Sequence, residues 1–223
     1  MTRYGFSQAM GVFFHVDGLA ADKLVPEGLS AVEAHPGLAV AAVTAFDFTE
    51  TEVGAYGELV LSLLVVPFAT AGETLPLAAY FPFALATSTD ASRAHATERW
   101  RLPQFVHCLH ITFDESADGD QLLVRDGDEP VLTLTVGHTN SESGSRLYQC
   151  FSRDTGGLHR VNIEIHGAFD EHEEELGVLE LGTHALTTDL ANMLEDEVPF
   201  REQLMRAGEQ RFGLLTPHGR IPA

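Results

Sequence analysis

Leu38-Ala39-Val40-Ala41-Ala42-Val43-Thr44-Ala45-Phe46-Asp47-Phe48, then Glu52-Val53-Gly54, then Tyr56-Gly57-Glu58-Leu59-Val60-Leu61-Ser62-Leu63-Leu64-Val65, is the stretch on which the fold turns. Two long apolar segments, 37–48 and 55–67, flank a turn signal, which predicts a β-hairpin. The most apolar run, Leu59 to Phe68, is too short to cross a bilayer and suits a buried strand. Toward the N-terminus, residues 9–16 read as a strand, and Asp17 to Leu24 as a short helical turn stopped by Val25-Pro26-Glu27-Gly28. Toward the C-terminus, 75–85 is another apolar strand, irregular or at an edge because of Pro76 and Pro82.

The period then changes. Thr87-Ser88-Thr89-Asp90 supplies N-cap candidates for a helix of about three turns through Trp100, near the average length, and Pro103 marks its end. Strands resume at 105–113, 121–124 and 131–138, with Asp126-Gly127-Asp128 as a turn. Segments 146–153 and 158–169 form a hairpin around Gly156-Gly157. In the second, Val161, Ile163 and Ile165 alternate with Asn162, Glu164 and His166, so one face is buried and one is wet. Asp170 to Glu175 reads as a solvated turn, 177–181 as a short strand, and 184–194 and 199–207 as two helical pieces. The expectation is one mainly β domain over residues 1–223: a curved or closed sheet with one inserted helix and helices near the end. A closed sheet has no edges and leaves an interior that can hold a small ligand.

Among 223 residues, 13 Lys+Arg against 33 Asp+Glu give a net charge of −20. That balance argues against nucleic acid and against docking on an anionic membrane. The chain has one lysine, Lys23, so any lysine Schiff base must use it. An acidic, lysine-poor surface suits concentrated salt, as in a halophilic protein; a GC-rich genome writing arginine for lysine is the other reading. Cys108 and Cys150, in strand-like runs without a Cys-x-x-Cys, read as buried free thiols. The N-terminus lacks a signal-peptide layout, so a cytoplasmic protein is expected. Nucleotide-binding glycine motifs, Gly-x-Ser-x-Gly and His-Glu-x-x-His are all missing. His107 and His110 would lie on opposite faces of a strand and could not share a metal without a bulge.

Three segments, in order, resemble the acetoacetate decarboxylase family. They are Phe14-His15-Val16-Asp17 with Leu24-Val25-Pro26-Glu27-Gly28-Leu29; Gly54-Ala55-Tyr56-Gly57-Glu58; and Thr89-Asp90-Ala91 through Ala96-Thr97-Glu98-Arg99-Trp100-Arg101-Leu102-Pro103-Gln104. Leu179-Glu180-Leu181 and His184-Ala185-Leu186 also fit a family pattern of strand then helix. The resemblance implies a closed, cone-like antiparallel β-barrel around a small apolar pocket, and homo-oligomers assembled through barrel exteriors; no cofactor and no metal are expected. The family nucleophile is a lysine activated by a neighbouring cation. Here those positions are Gln104 and Phe105, and an amide nitrogen has no free lone pair for a carbonyl. The arginine that would meet a substrate carboxylate appears as His15, and the Gly-Arg-Glu signature as Ala96-Thr97-Glu98. Glu58 alone survives of the chemical set.

The resemblance therefore implies a pocket in which Glu58 and His15 do acid–base work, with Tyr56, Glu98, Gln104 and Phe105 on the substrate side. A carboxylate in an apolar strand is desolvated and its pKa rises, which suits a general acid or base. Phe13, Phe46, Phe81 and Phe105 read as core. Enolisation, hydration or hydrolysis of a small oxo or carboxylate compound is one function. A non-catalytic barrel that binds a small ligand is the alternative, and a catalytically dead structural subunit a third.

Overall fold

The computed structural model describes residues 1–116 and 119–219. In chain order they form β1 (Thr2–Asp17), α1 (Gly18–Leu24), β2 (Glu33–His35), β3 (Leu38–Glu50), β4 (Tyr56–Val65), β5 (Ala78–Thr87), α2 (Asp90–Trp100), β6 (His110–Ser116), β7 (Gly119–Asp126), β8 (Glu129–Val136), β9 (Ser141–Asp154), β10 (Gly157–His172), β11 (Val178–Leu181), α3 (Thr188–Met193), β12 (Arg201–Phe212) and β13 (Thr216–His218). The hairpin expected at 37–67 is β3–β4, with Phe46 opposite Glu58 and Val43 opposite Leu61. No helix among the described residues is long and apolar enough to cross a membrane.

Seven strands close a ring in the order β1-β12-β10-β9-β5-β4-β3, and β3 returns to β1 through a ladder from Gly5↔Glu50 to Asp17↔Leu38. The barrel is mixed rather than all antiparallel, because β5 runs parallel to β9 over Ala78↔Tyr148 to Tyr80↔Cys150. Parallel neighbours need a long crossover. Here it consists of α2 and the meander β6–β7–β8, which leave the ring after β5 and return at β9. That meander, with β11, makes a second, four-stranded antiparallel sheet.

The period-two geometry of strands divides the barrel wall into two faces. Met10, Val12 and Phe14 of β1, Ala41 and Val43 of β3, and Leu59, Leu61 and Leu63 of β4 point outward. They share one core with Leu122, Val124, Leu132, Leu134 and Val136 of the second sheet and with Leu190 and Met193 of α3. Each buried leucine there stabilises by roughly 2 kcal/mol. The residues between them point into the ring. Both faces of β3 and β4 are thus covered, which is why these segments read as nearly unbroken apolar runs. Gly57 lets the second sheet approach: a Cβ there would lie 2.9 Å from Cβ of Ile111 in β6.

The inserted helix lies where its caps put it. The Thr89 hydroxyl accepts from the Ser92 amide at 3.2 Å, and Arg101 ends α2 in the left-handed region at φ 58°. Near the C-terminus only α3 is helical among the described residues. The segment read as a helix at 199–207 is the start of β12, paired with β1 on one side and β10 on the other. Glu202, Gln203, Leu204 and Met205 are all buried, so this strand lacks the alternation that betrays a half-wet one. The acidic turn expected at 170–175 is also displaced. Asp170 to His172 continue β10, and the buried Asp170 carboxylate accepts from the amide (2.7 Å) and hydroxyl of Thr139. Cys150 lies in β9, whereas Cys108 lies in the loop before β6; both are free thiols.

Candidate functional site

The inward faces line a partly open cavity of about 110 Å³. Gly11 and Phe13 of β1, Thr44 and Phe46 of β3, Glu58, Val60 and Ser62 of β4, and Tyr80 and Leu85 of β5 form one side. Tyr148 and Cys150 of β9, Ile163 and Ile165 of β10, and Gln203, Met205, Gln210 and Phe212 of β12 form the other, with Leu102 from the loop after α2. The space suits a handful of heavy atoms, well above the ~10–15 Å³ that one water needs.

Glu58 is the ionisable carboxyl in this wall. Its strand neighbours across the ladders are Phe46 and Thr87, neither of which carries charge. Burial pushes its carboxyl up to about 7, and a hydrogen bond from the Tyr56 hydroxyl offsets part of that rise. Tyr56 lies two residues earlier on the same face, and burial followed by the Glu58 charge holds its phenol well above the usual range. The Cys150 thiol is pushed up to about 12, first by burial and then by Glu58, so it faces the cavity as a neutral thiol. Tyr4 is likewise pushed up to about 12, mainly by burial. Its oxygen accepts from the indole N–H of Trp100 at 2.9 Å and lies 2.5 Å from Nε2 of His95. An indole N–H only donates, so the phenol proton is free to go to His95. Tyr4, Trp100 and Phe212 pack together as the wall behind the cavity.

The sequence-predicted residues divide sharply by place. Glu58 lines the cavity and Tyr56 bonds to it. His15 shares the inward parity of Gly11 and Phe13 but lies beyond the lining. Its ring stacks on Phe200 at 4.3 Å and 12° and sits 6.0 Å from that of His35. The register explains the separation. Phe46 faces both Glu58 and Ala9, whereas His15 faces Val40. From Ala9 to His15 the strand advances about 20 Å at ~3.3 Å per residue. Glu58 and His15 therefore stand at different levels of the barrel and are not brought together.

Glu98 is exposed on α2. Phe105 packs against His107 and His184 outside the cavity. Of the aromatics read as core, Phe13 and Phe46 line the cavity, while Phe81 is buried in a separate cluster with Val65 and Phe151. Lys23 is exposed in the last turn of α1. His107 bonds to Asp126 at 2.5 Å, and His110 begins β6. No cluster of three or more His, Cys, Asp or Glu among the described residues could hold a metal ion.

Gln104 follows Leu102 and Pro103 out of the site. Both ends of its side-chain amide are enclosed without a hydrogen-bond partner. Such an amide costs about 1–3 kcal/mol. Gln104→Leu should therefore raise stability by about 1 kcal/mol, or ~2–4 °C in Tm for a chain of this size. A fall in Tm in a thermal melt would contradict that. Sequence reasoning missed Tyr80, Tyr148, Cys150, Gln203 and Gln210. The first three sit on strands that were read correctly, where inward parity could have found them. Gln203 falls in the segment misread as a helix, and Gln210 in the part of β12 that follows it.

No protein-family profile matches the sequence, and no curated protein matches it either. Solved structures do match over nearly the whole chain. An acetoacetate decarboxylase from Legionella pneumophila subsp. pneumophila str. Philadelphia 1 superposes with a TM-score of 0.66 at 14% identity, covering 100% of this chain and 88% of that one. The enduracididine biosynthesis enzyme MppR, complexed with pyruvate, gives 0.64 at 14% identity, covering 96% and 90%. An acetoacetate decarboxylase-like enzyme from Sphingomonas wittichii RW1 gives 0.59 at 17% identity, covering 98% and 93%. At these identities the likeness is one of fold.

Proposed function

We propose that this chain, which has the acetoacetate decarboxylase-like fold, uses its barrel cavity for acid–base chemistry on a small oxo compound, with Glu58 as the proton-transfer group. The observation that carries this is a carboxyl facing an apolar cavity with a pKa of about 7. At neutral pH its acid and carboxylate forms are comparably populated. The acid can protonate a carbonyl oxygen and the carboxylate can take a proton from the adjacent carbon, as enolisation requires. Tyr56, two residues away on the same face, favours the carboxylate form. His15, at another level of the barrel, has no part in the reaction.

Imine chemistry has no support here. The single lysine is exposed on α1, and the nearest thing to a nucleophile in the cavity is the neutral thiol of Cys150. Among the matched structures, MppR is complexed with pyruvate and with the condensation product of pyruvate and imidazole 4-carboxaldehyde, both small carbonyl-derived ligands. A second reading, binding without turnover, is favoured by one observation: among the described residues no other group ionising near neutrality lines the cavity to share the proton traffic.

The deciding experiment is a ¹³C NMR titration of the Glu58 side-chain carboxyl. A midpoint near 7 is expected, and a midpoint near the ordinary ~4.3 would remove the basis of the proposal.

A further inference from the structure

We infer that the cavity excludes anions and takes a small ligand whose polar end is either uncharged or a protonated nitrogen, so that the oxo compound proposed above is not a keto acid. The inference rests on that reading of the cavity as the binding site and narrows its substrate class. Among the described lining residues Glu58 alone can carry a formal charge at neutral pH; no lysine, arginine or histidine lines the space. The guanidinium groups whose fields reach the lining phenols are those of Arg146 and Arg201. Neither lines the space, and both are ion-paired, while Nε of Arg146 is enclosed without a hydrogen-bond partner. Arg146 holds Glu171 at 2.9 Å, and Arg201 holds Glu171 and, at 3.5 Å, Glu173.

A ligand carboxylate entering this space would leave water without meeting a counter-ion, and would face Glu58 besides. Proteins avoid burying an unpaired charge because nothing repays its desolvation. An uncharged oxygen or amide meets a different wall. Gln203, Gln210 and Thr44 offer hydrogen bonds, and Glu58 in its acid form donates one. An ammonium group has the Glu58 carboxylate as partner, with the rings of Phe46 and Phe212 in the same wall to favour a cation. The ionisable groups around Glu58 are Tyr56 on its own strand, Tyr4 on β1 and Cys150 on β9, with His95 and Arg99 of α2 acting on Tyr4. The two phenols and the thiol are all pushed upward, so between pH 6 and 8 they stay neutral and Glu58 sets the charge of the cavity.

The test uses three probes of one shape: isobutyrate, isobutyramide and isobutylamine, titrated calorimetrically into the protein at pH 6 and pH 8. At pH 8 isobutyramide should bind at least about tenfold tighter than isobutyrate. From pH 6 to pH 8 isobutyrate should weaken about tenfold and isobutylamine strengthen about tenfold, following the ionisation of Glu58. In Glu58→Gln both pH dependences should disappear. Isobutyrate binding as tightly as isobutyramide at pH 8 would overturn the inference and leave the cavity a binding site. Failure of all three probes to bind would overturn the inference together with the proposed function.

Discussion

Glu202→Ala should destabilise the protein by about 4 kcal/mol, a drop of roughly 8–16 °C in Tm. The side chain is fully buried in β12 and lies away from the cavity wall. One carboxylate oxygen accepts from the amides of Leu176 (2.7 Å) and Gly177 (2.8 Å), and the other from the amide of Gly137 (2.8 Å). These donors belong to the loops that lead out of β8 and into β11, so the carboxylate fastens the second sheet to the barrel. Gly177 is a glycine for the same reason: a Cβ there would lie 2.8 Å from the carboxylate and 2.6 Å from the carbonyl of Thr135. Alanine leaves two buried N–H groups, those of Gly137 and Gly177, and the part-buried one of Leu176 without acceptors, each buried one costing about 1–3 kcal/mol, less whatever water recovers in the space vacated. Glu202→Gln keeps one oxygen and should lose about half as much. Urea unfolding and amide exchange at residues 137, 176 and 177 read both effects. An alanine variant within about 1 kcal/mol of the parent would show that these amides find other partners.

The legibility of this fold followed the chemistry of each segment. The β3–β4 hairpin was plain because both of its faces are covered, one packed on the second sheet and one lining the cavity, so its residues are mostly apolar. The α2 helix was plain because Thr89 and Asp90 are cap chemistry, which is local. The same double burial hid β12. Its inner positions mix Gln203 and Gln210 with Met205 and Phe212, and its outer Glu202 is a polar residue facing backbone amides. No alternation of apolar and polar survives such an arrangement. The parallel contact of β5 with β9 could not be read at all, since it depends on where the chain returns after an excursion through α2 and three further strands.

For the site, parity was legible and level was not. Glu58 stood out as a carboxylate in an apolar run, and the ladder puts it on the inward face. His15 has inward parity too, but whether two inward residues meet depends on the stagger of strands around a barrel, which their spacing in one strand does not encode. Glu98 and Phe105 followed from a resemblance to a helix and the loop after it; on this chain the first faces water and the second packs on histidines.

Glu58→Gln should separate stability from function in opposite directions. The carboxyl moves from an ordinary 4.5 to about 7 on folding, with burial as the main cause. Between those values the folded chain binds more protons than the unfolded one, so stability falls as pH rises. The contribution is fully present below about pH 4.5 and is lost as pH rises through about 7, a total of about 3 kcal/mol. Glutamine is a neutral stand-in for the acid form and does not pay it. The variant should match the parent near pH 4 and exceed it by about 2–3 kcal/mol at pH 8, the hydrogen bond from Tyr56 accounting for the margin. Other carboxyls, such as those of Asp126 and Asp154, are held low by neighbouring histidines and push the pH dependence the other way. The difference between parent and variant, measured by urea unfolding across the pH range, therefore isolates Glu58. Any proton-transfer turnover should meanwhile fall by about 10²–10⁴-fold. A gain at pH 8 together with lost turnover is the signature of a carboxyl kept in an apolar cavity for its chemistry. Equal stability of parent and variant at pH 8 would mean that Glu58 is solvated, and that its place in the cavity wall gives it no unusual acid–base character.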